Sequence, residues 1–154
     1  MLLALGKVVA HWSVAQMNME MLICKLMESP YDLALAVVSQ FNYSGRLDML
    51  RALAKEKFKN DTEAQNEIKT IIQKLDATYA KRNRFEHDAL LHQGEDSDPA
   101  RKRRVNRKTL VTEIEEVKTE DIENLAKEIS VLALEIYDFH NKHLSAKQKP
   151  SPEK

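Results

Sequence analysis

Apolar residues recur with helical periodicity over most of this chain of 154 residues. Across residues 2–28 they return in steps of three and four, which is the spacing of one face of an amphipathic helix. Ser29 and Pro30 end the pattern, because the residue before proline avoids the α region. We therefore predict a first helix over residues 2–28, with its apolar stripe at Leu5, Val8, Val9, Trp12, Ala15, Met19, Leu22, Ile23 and Leu26.

Two shorter helices are predicted next. Residues 33–41, LALAVVSQF, are apolar nearly all round and indicate a buried second helix that begins near Tyr31 or Asp32. A bend at residues 42–45 separates it from a third helix, whose apolar face is Leu47, Leu50, Leu53 and Ala54. The polar break at residues 57–62 ends the third helix, and Asp61 or Thr62 is suited to cap the helix that follows.

A long fourth helix is predicted over residues 63–91. Its apolar stripe is Ala64, Ile68, Ile71, Ile72, Leu75 and Tyr79. Continued at the same spacing, this stripe reaches Arg82, Glu86 and Leu90.

The segment that follows is the least regular in the chain. In residues 92–108, Gly94 and Pro99 bracket an acidic piece, and a basic run follows. Residues 109–117 alternate apolar and polar side chains, which favours a short strand, half of a hairpin on the flank of the bundle. Thr119 is suited to cap the last helix, whose apolar stripe is Ile122, Leu125, Ile129, Leu132, Ala133, Ile136 and Phe139.

These patterns predict an all-α fold: a helical bundle of four to five helices with one irregular insertion before the last helix. Residues 1–144 form a single domain, and residues 145–154 form a disordered C-terminal tail. Composition agrees, because apolar residues make up 43% of the chain while three glycines and four prolines are too few for a many-stranded β protein.

Charge and targeting features narrow the function classes. The charged residues cancel to a net charge of zero, so a local patch must supply any attraction to nucleic acid or membrane. The single cysteine, Cys24, forms no internal disulfide and is predicted to fill the core. The start lacks a basic n-region, and the longest apolar run, residues 33–38, is too short for a membrane span. We therefore expect a cytoplasmic protein with no membrane partner.

Residues 82–87, RNRFEH, permit two interpretations. An arginine and a histidine this close together occur often by chance on a charged helix surface. However, Arg82 continues a core-facing stripe, where a guanidinium is costly unless it is paired or lines a cavity or interface. The position of Arg82 therefore needs a physical reason.

The same stretch resembles the signature of the HEPN family of helical-bundle proteins. That signature is an arginine, four to six intervening residues and a histidine, often with a small polar residue directly after the arginine. Here Arg82 and His87 are the two ends, Asn83 takes the polar position and Phe85 lies between. The long first helix with an early tryptophan and the insertion before the last helix also resemble small members of that family.

The resemblance implies a metal-independent endoribonuclease that acts as a homodimer, often a toxin with a separate antitoxin protein. Arg82 would neutralise charge on the scissile phosphate, and His87 would move a proton. The nucleophile would be the 2′-hydroxyl of the RNA. The resemblance implies no metal and no cofactor. The alternative is a non-catalytic helical module of the same fold that binds a protein or a nucleotide.

Helix geometry supports only part of this site. Five residues advance by about 500°, so Arg82 and His87 point ~140° apart on a straight helix. Asn83 and His87 share a face and are predicted to hydrogen-bond. Glu86 and Asp88 flank His87 and would repel a phosphate. For Arg82 to join them, the helix must distort, the long arginine side chain must reach around the helix, or a second protomer must contribute. The family resemblance implies the second protomer.

Basic residues near the motif are candidates for substrate binding, namely Lys81, Arg84, Arg101, Lys102, Arg103 and Arg104. As a group they could contact RNA phosphates. The other interpretation is a solvated loop balanced by the acidic residues at 113–123. His140 and His143 are three residues apart and suit a helix C-terminus better than half of a metal site.

Overall fold

The computed structural model describes the backbone of residues 1–87, 89–91, 100–105 and 112–145, and the side chains of residues 1–85 and 116–145. Within those residues it is an all-α helical bundle of five helices, and the predicted insertion carries three short strands. The elements are α1 (Leu2–Leu26), α2 (Tyr31–Val38), α3 (Tyr43–Lys57), α4 (Thr62–His87), β1 (Ala89–Leu91), β2 (Ala100–Val105), β3 (Thr112–Val117) and α5 (Thr119–Leu144). In the part of the chain that the structure describes, none of the helices is long and apolar enough to cross a bilayer.

Helices α1 and α5 run parallel to each other and form the main packing contact. His11 Nδ1 lies 2.8 Å from the carbonyl oxygen of Ala126, and Asn18 Nδ2 donates to the carbonyl oxygen of Ala133 at 2.8 Å. Both contacts advance by seven residues in the same direction along the two helices, which fixes their parallel orientation.

Helix α4 runs antiparallel to α5. Lys74 binds Glu135 at 2.6 Å, and Lys81 binds Glu128 at 2.8 Å, so the partner number falls as the α4 number rises. The C-terminal end of α4, which carries the motif, therefore lies beside the first turns of α5.

The predicted stripes of α1 and α5 form most of the core. All seven predicted apolar positions of α5 are buried, as are seven of the nine predicted for α1: Val8, Trp12, Ala15, Met19, Leu22, Ile23 and Leu26. A stripe spaced by three and four residues buries one helix face against its neighbours, which accounts for this agreement.

The prediction for Val9 is wrong. Val9 is 49% exposed, whereas Val8 is 1% exposed. Val9 lies three turns before Glu20 on the same side of α1, and Glu20 binds Arg46 of α3. Helix α3 starts only at Tyr43, too far along the bundle to cover Val9.

Helix α2 is also less buried than predicted. Only Ala34 and Val38 of α2 are buried, while Leu33 is 59% exposed. This helix has eight residues and packs chiefly against α1. A single neighbouring helix can cover only one face of α2. Its other apolar residues therefore stay exposed, although the sequence is apolar on every face.

Side-chain caps mark two of the predicted breaks. Asn42 accepts from the N–H of Gly45 at 2.9 Å and begins α3, and Asp61 accepts from the N–H of Ala64 at 3.0 Å and begins α4. The predicted N-cap of α5, Thr119, lies one residue after the observed N-cap. Lys118 has extended backbone angles and is the N-cap, so Thr119 is already helical.

Helix α4 ends at His87 and not at residue 91 as predicted. Residues 89–91 form β1, which pairs antiparallel with β2, so Leu90 lies opposite Lys102 and outside the helical stripe. Strand β3 pairs with the other edge of β2 and confirms the strand predicted within residues 109–117. Strand pairing overrides the local helical pattern at residues 89–91. The predicted tail lies, apart from Ser145, outside the described residues.

Candidate functional site

Arg82 lies between an aromatic ring and a polar side chain near the end of α4. Its guanidinium carbon is 6.0 Å from the centre of the Trp12 ring, and its Nη1 donates to Asn83 Oδ1 at 3.2 Å. The negative face of an indole attracts a cation at this range. Arg82 is half-buried, and the Trp12 ring and the Asn83 amide are two contacts that favour a charged residue on this core-facing stripe.

Three aromatic rings, which we call the aromatic stack, lie beside Arg82. The stack consists of Trp12 from α1, Tyr43 from α3 and Tyr79 from α4. The two tyrosine rings stack with centroids 3.9 Å apart, and Trp12 stacks on Tyr79 at 5.9 Å. The stack joins three helices at the level of the motif, so the surroundings of Arg82 are fixed by packing.

A buried hydrogen bond holds the stack to α4. The Tyr43 hydroxyl donates to the carbonyl oxygen of Leu75 at 2.9 Å. Burial, with a smaller contribution from the charge of Asp76, raises the pKa of Tyr43. The phenol therefore stays protonated and keeps its role as a donor.

The start of α3 at Tyr43 limits how much of α1 and of the end of α4 this helix can cover. Because Tyr43 is the first residue of α3 and touches Trp12, the segment of α1 before Trp12 extends about 15 Å beyond α3. Val9 lies on the α3 side of this segment. We call the surface beyond the start of α3, where the exposed Val9 and the half-buried Arg82 and Asn83 lie, the notch.

Asn83 belongs to the notch because of its helical position. It lies seven residues after Asp76, which contacts Arg51 of α3 at 3.5 Å. Two turns along a helix return to the same side, so Asn83 faces the side of α4 that α3 covers lower down. Both Arg82 and Asn83 are half-buried at this position.

The structure brings together two of the three predicted catalytic residues. Arg82 and Asn83 share a hydrogen bond, which the sequence argument did not predict. His87 is the last residue of α4. Its side chain, and with it the predicted bond from Asn83, lies outside the described residues, so this pairing stays a prediction.

Lys81 and Arg84 border a cleft between α4 and α5. The cleft has a volume of about 320 Å³ and is also lined by Phe85, Asp121 and Glu128. Lys81 is bound to Glu128 at 2.8 Å, and Asp121 adds a second carboxylate. The charge of this cleft is therefore mixed, which weakens its attraction for phosphate.

The other predicted substrate-binding residues lie on the central strand of the sheet. Arg101, Lys102, Arg103 and Arg104 are all in β2. The backbone register places Glu116 opposite Arg101, Glu115 opposite Lys102 and Glu113 opposite Arg104. The register therefore pairs a basic with an acidic position at three of these four residues.

The two histidines of α5 have separate environments. His143 Nε2 lies 2.9 Å from Glu67 Oε2, whereas His140 Nδ1 lies near the adjacent Asn141 at 3.4 Å. Within the described residues, no three His, Cys, Asp or Glu side chains converge as metal ligands would. Cys24 is buried, as predicted, and desolvation by burial raises its pKa.

No family model, curated protein or solved structure matches this chain. The likeness to HEPN proteins therefore rests on residues 82–87 and on the order of the helices. The assignment to the all-α class follows from the five helices of the structure.

The aromatic stack was not predicted from the sequence. Trp12 was predicted only as part of the apolar stripe of the first helix, and Tyr79 as the end of the stripe of the fourth. One signal was available, because Tyr79 lies three residues before Arg82, and side chains at that spacing are neighbours on a helix. The contribution of Tyr43 depends on tertiary packing and has no local signal.

Proposed function

We propose that this protein is a HEPN-like metal-independent endoribonuclease that acts as a homodimer, of the kind found among toxins and defence effectors. The observation that carries the proposal is the position of Arg82. Its guanidinium is held against Trp12 and Asn83 at the edge of the notch. A cation fixed in place before the substrate arrives can stabilise charge on a phosphate without reorganisation during the reaction.

The proposed reaction uses a nucleophile that belongs to the substrate. The 2′-oxygen of the RNA bonds to phosphorus, the bond from phosphorus to the 5′-oxygen breaks, and a cyclic phosphate remains. One base removes the proton of the 2′-hydroxyl, and one acid gives a proton to the leaving 5′-oxygen. In a homodimer the two copies of His87 can divide these roles. Arg82 neutralises charge on the phosphate oxygens.

A second candidate function is a non-catalytic module that binds a protein or a nucleotide. The pairing of Lys81 with Glu128 favours it, as does the register of β2 with the acidic residues of β3. Both features reduce the positive potential near the motif, and binding to RNA depends on that potential. A separate antitoxin chain remains a prediction of the family resemblance.

The test is cleavage of single-stranded RNA in the presence of EDTA, which removes metal-dependent contaminants. We expect cleavage by the wild-type protein and loss of at least about a hundredfold in rate for Arg82→Ala and His87→Ala. His140→Ala is the matched control, because His140 lies near the opposite end of α5 from the motif. Inactivity of the wild-type protein, or equal rates for all variants, would favour the binding module.

A further inference from the structure

A groove lies between α3 and α4, on the edge of α4 opposite to the one that α5 covers. We call it the α3/α4 groove, and its volume is about 480 Å³. The buried side chains of Ala54, Ile68 and Ile72 form its floor, and its walls are polar. An open cleft of this size with polar walls suits a hydrophilic ligand more than an apolar one.

The course of the groove follows from the packing of its two helices. Helices α3 and α4 are antiparallel, because Tyr43 at the start of α3 stacks on Tyr79 and Arg51 contacts Asp76 at 3.5 Å. The groove therefore begins near the connection at residues 58–61 and ends where α3 starts. From Tyr79, α4 continues for about two more turns to the end of the motif.

One face of α4 runs from the groove to the motif. Gln65 and Asn83 are 18 residues apart, which is five full helical turns, so they lie on one line along α4. Lys69 and Asp76 lie within about 40° of that line. Between Asp76 and Asn83 this face carries the exposed Ala80, whose side chain is too small to block it. The groove thus opens toward Asn83, which binds Arg82.

Two lysines on opposite walls of the groove carry charges that the described side chains leave unbalanced. Lys55 of α3 and Lys69 of α4 are exposed, and neither forms an ion pair with a described residue. Neither has an acidic residue three or four positions away on its own helix. Lys74 and Lys81, on the other edge of α4, are bound to glutamates of α5.

The acidic residue in the described lining of the groove is already paired. Asp76 contacts Arg51, which also binds Asp48 at 2.6 Å. The charges of Lys55 and Lys69 therefore remain available for an anionic ligand. This distinguishes the groove from the α4/α5 cleft and from β2, where acidic residues accompany the cations.

The direction of the groove favours RNA as that ligand. Contacts to backbone phosphates position a nucleic acid, and exposed lysines are suited to make them. Gln65 and Gln73 add amide groups that can donate to phosphates and to sugars. An acidic peptide could also satisfy the two lysines, but only a strand that continues to Arg82 uses the whole face of α4.

We propose that the α3/α4 groove binds single-stranded RNA on one side of the scissile phosphate, with Lys55 and Lys69 neutralising two backbone phosphates. This assignment rests on the proposed function for its substrate. Lys69 lies about 20 Å from Arg82 along the axis of α4. The two lysines therefore bind substrate and do not touch the reacting atoms.

The first test measures binding without cleavage. The probe is a fluorescent 2′-O-methyl oligouridine, which lacks the nucleophile, and its anisotropy is followed across a salt series in EDTA. We expect Lys55→Gln/Lys69→Gln to raise the dissociation constant at least about tenfold at low salt. The plot of log K against log salt should flatten by about 1.4, since each phosphate contact contributes about 0.7 for a single strand.

The controls for this test keep the size of the change and move its place. Lys25→Gln/Lys127→Gln also removes two charges, and neither residue lines the groove, so binding should stay unchanged. Lys55→Arg/Lys69→Arg keeps both charges and should retain binding. Circular dichroism confirms that each variant is folded. No binding by the wild-type protein, or equal effects of the two glutamine variants, would overturn the proposal.

The second test separates binding from catalysis with cleavable RNA. Lys55→Gln/Lys69→Gln should raise KM and leave kcat within about twofold, whereas Arg82→Ala should lower kcat. Cleavage with an unchanged KM in the lysine variant would overturn the groove assignment and leave the proposed catalysis in place. Groove-dependent binding without cleavage by the wild-type protein would support the assignment and contradict the catalysis. If polyglutamate displaces the probe and binds more tightly than it, the groove belongs to an acidic protein partner and the proposal is overturned.

Discussion

At the residue scale, the environment of Arg82 explains how a charged side chain occupies a core-facing position. The Trp12 ring and the Asn83 amide replace part of the hydration that the guanidinium loses. From the sequence, Arg82 was predicted to need a partner, a cavity or an interface, and Asn83 was predicted to hydrogen-bond His87. Adjacent side chains do not face each other on a helix, so only the length of the arginine side chain allows its bond to Asn83.

The Tyr43 hydroxyl gives the first prediction at this scale. Tyr43→Phe removes its bond to the Leu75 carbonyl and should lower the free energy of unfolding by about 1 kcal/mol, because the carbonyl keeps its helical bond. Urea denaturation measures the change. Tyr79→Phe is the control, since Tyr79 contributes its ring to the stack and its hydroxyl has no hydrogen bond to another described residue. Equal losses in both variants would contradict this role for the Tyr43 hydroxyl.

Glu67 gives a prediction about pH. Burial raises the pKa of Glu67, but hydrogen bonds from His143 and Lys142 outweigh burial and leave the pKa below its ordinary value of 4.5. A carboxyl whose folded pKa is lowered contributes stability above that ordinary value and loses it as the pH falls through the folded value.

Glu67→Gln should therefore flatten the fall in stability on acidification below about pH 4.5. Thermal unfolding at a series of acidic pH values measures the slope. Glu63→Gln is the matched control, because Glu63 contacts Lys142 and not His143. If the slope in Glu67→Gln equals that of the wild-type protein, the contact of Glu67 with His143 and Lys142 does not cause the loss of stability at acidic pH.

At the element scale, the position at which α3 begins determines which residues are core. Val8 and Val9 are adjacent in one helix, yet only Val8 is covered. We expect Val8→Ala to destabilise the protein by about 2 kcal/mol through lost burial and a cavity. Val9→Ala should be near neutral or slightly stabilising, because alanine is the better helix former.

Chemical denaturation of the two variants tests this difference directly. Both substitutions remove the same atoms from the same helix, so each is the control for the other. Similar losses for the two would mean that something covers Val9 and that the notch is closed in solution.

The same comparison shows what could be predicted from sequence. The periodicity of α1 and α5 located most of the core, because a helix with a partner on one side buries one stripe. The predictions that were wrong concern residues at which the neighbouring helix ends, is missing or is replaced by a strand. Val9 lies beyond the start of α3, α2 has one main neighbour, and residues 89–91 pair with β2. Periodicity indicates which face is apolar but not how far the covering element extends.

At the scale of the whole molecule, the net charge is zero, and in the described part of the chain acidic residues lie close to basic ones. Ion pairs join α4 to α5, and the acidic strand β3 lies in register with the basic strand β2. A catalytic role for Arg82 therefore depends on one positioned cation and not on a broad positive surface.

The central claim is that Arg82 and His87 promote attack by the 2′-hydroxyl of RNA on the adjacent phosphate. The most direct measurement uses one oligonucleotide sequence in two forms, all ribose and with a single 2′-deoxy position at the mapped cleavage site. Both are incubated with the protein in EDTA, and the products are identified by mass. The account predicts a 2′,3′-cyclic phosphate product from the first form and no cleavage at the substituted position in the second. Cleavage of the deoxy form at that position would contradict it.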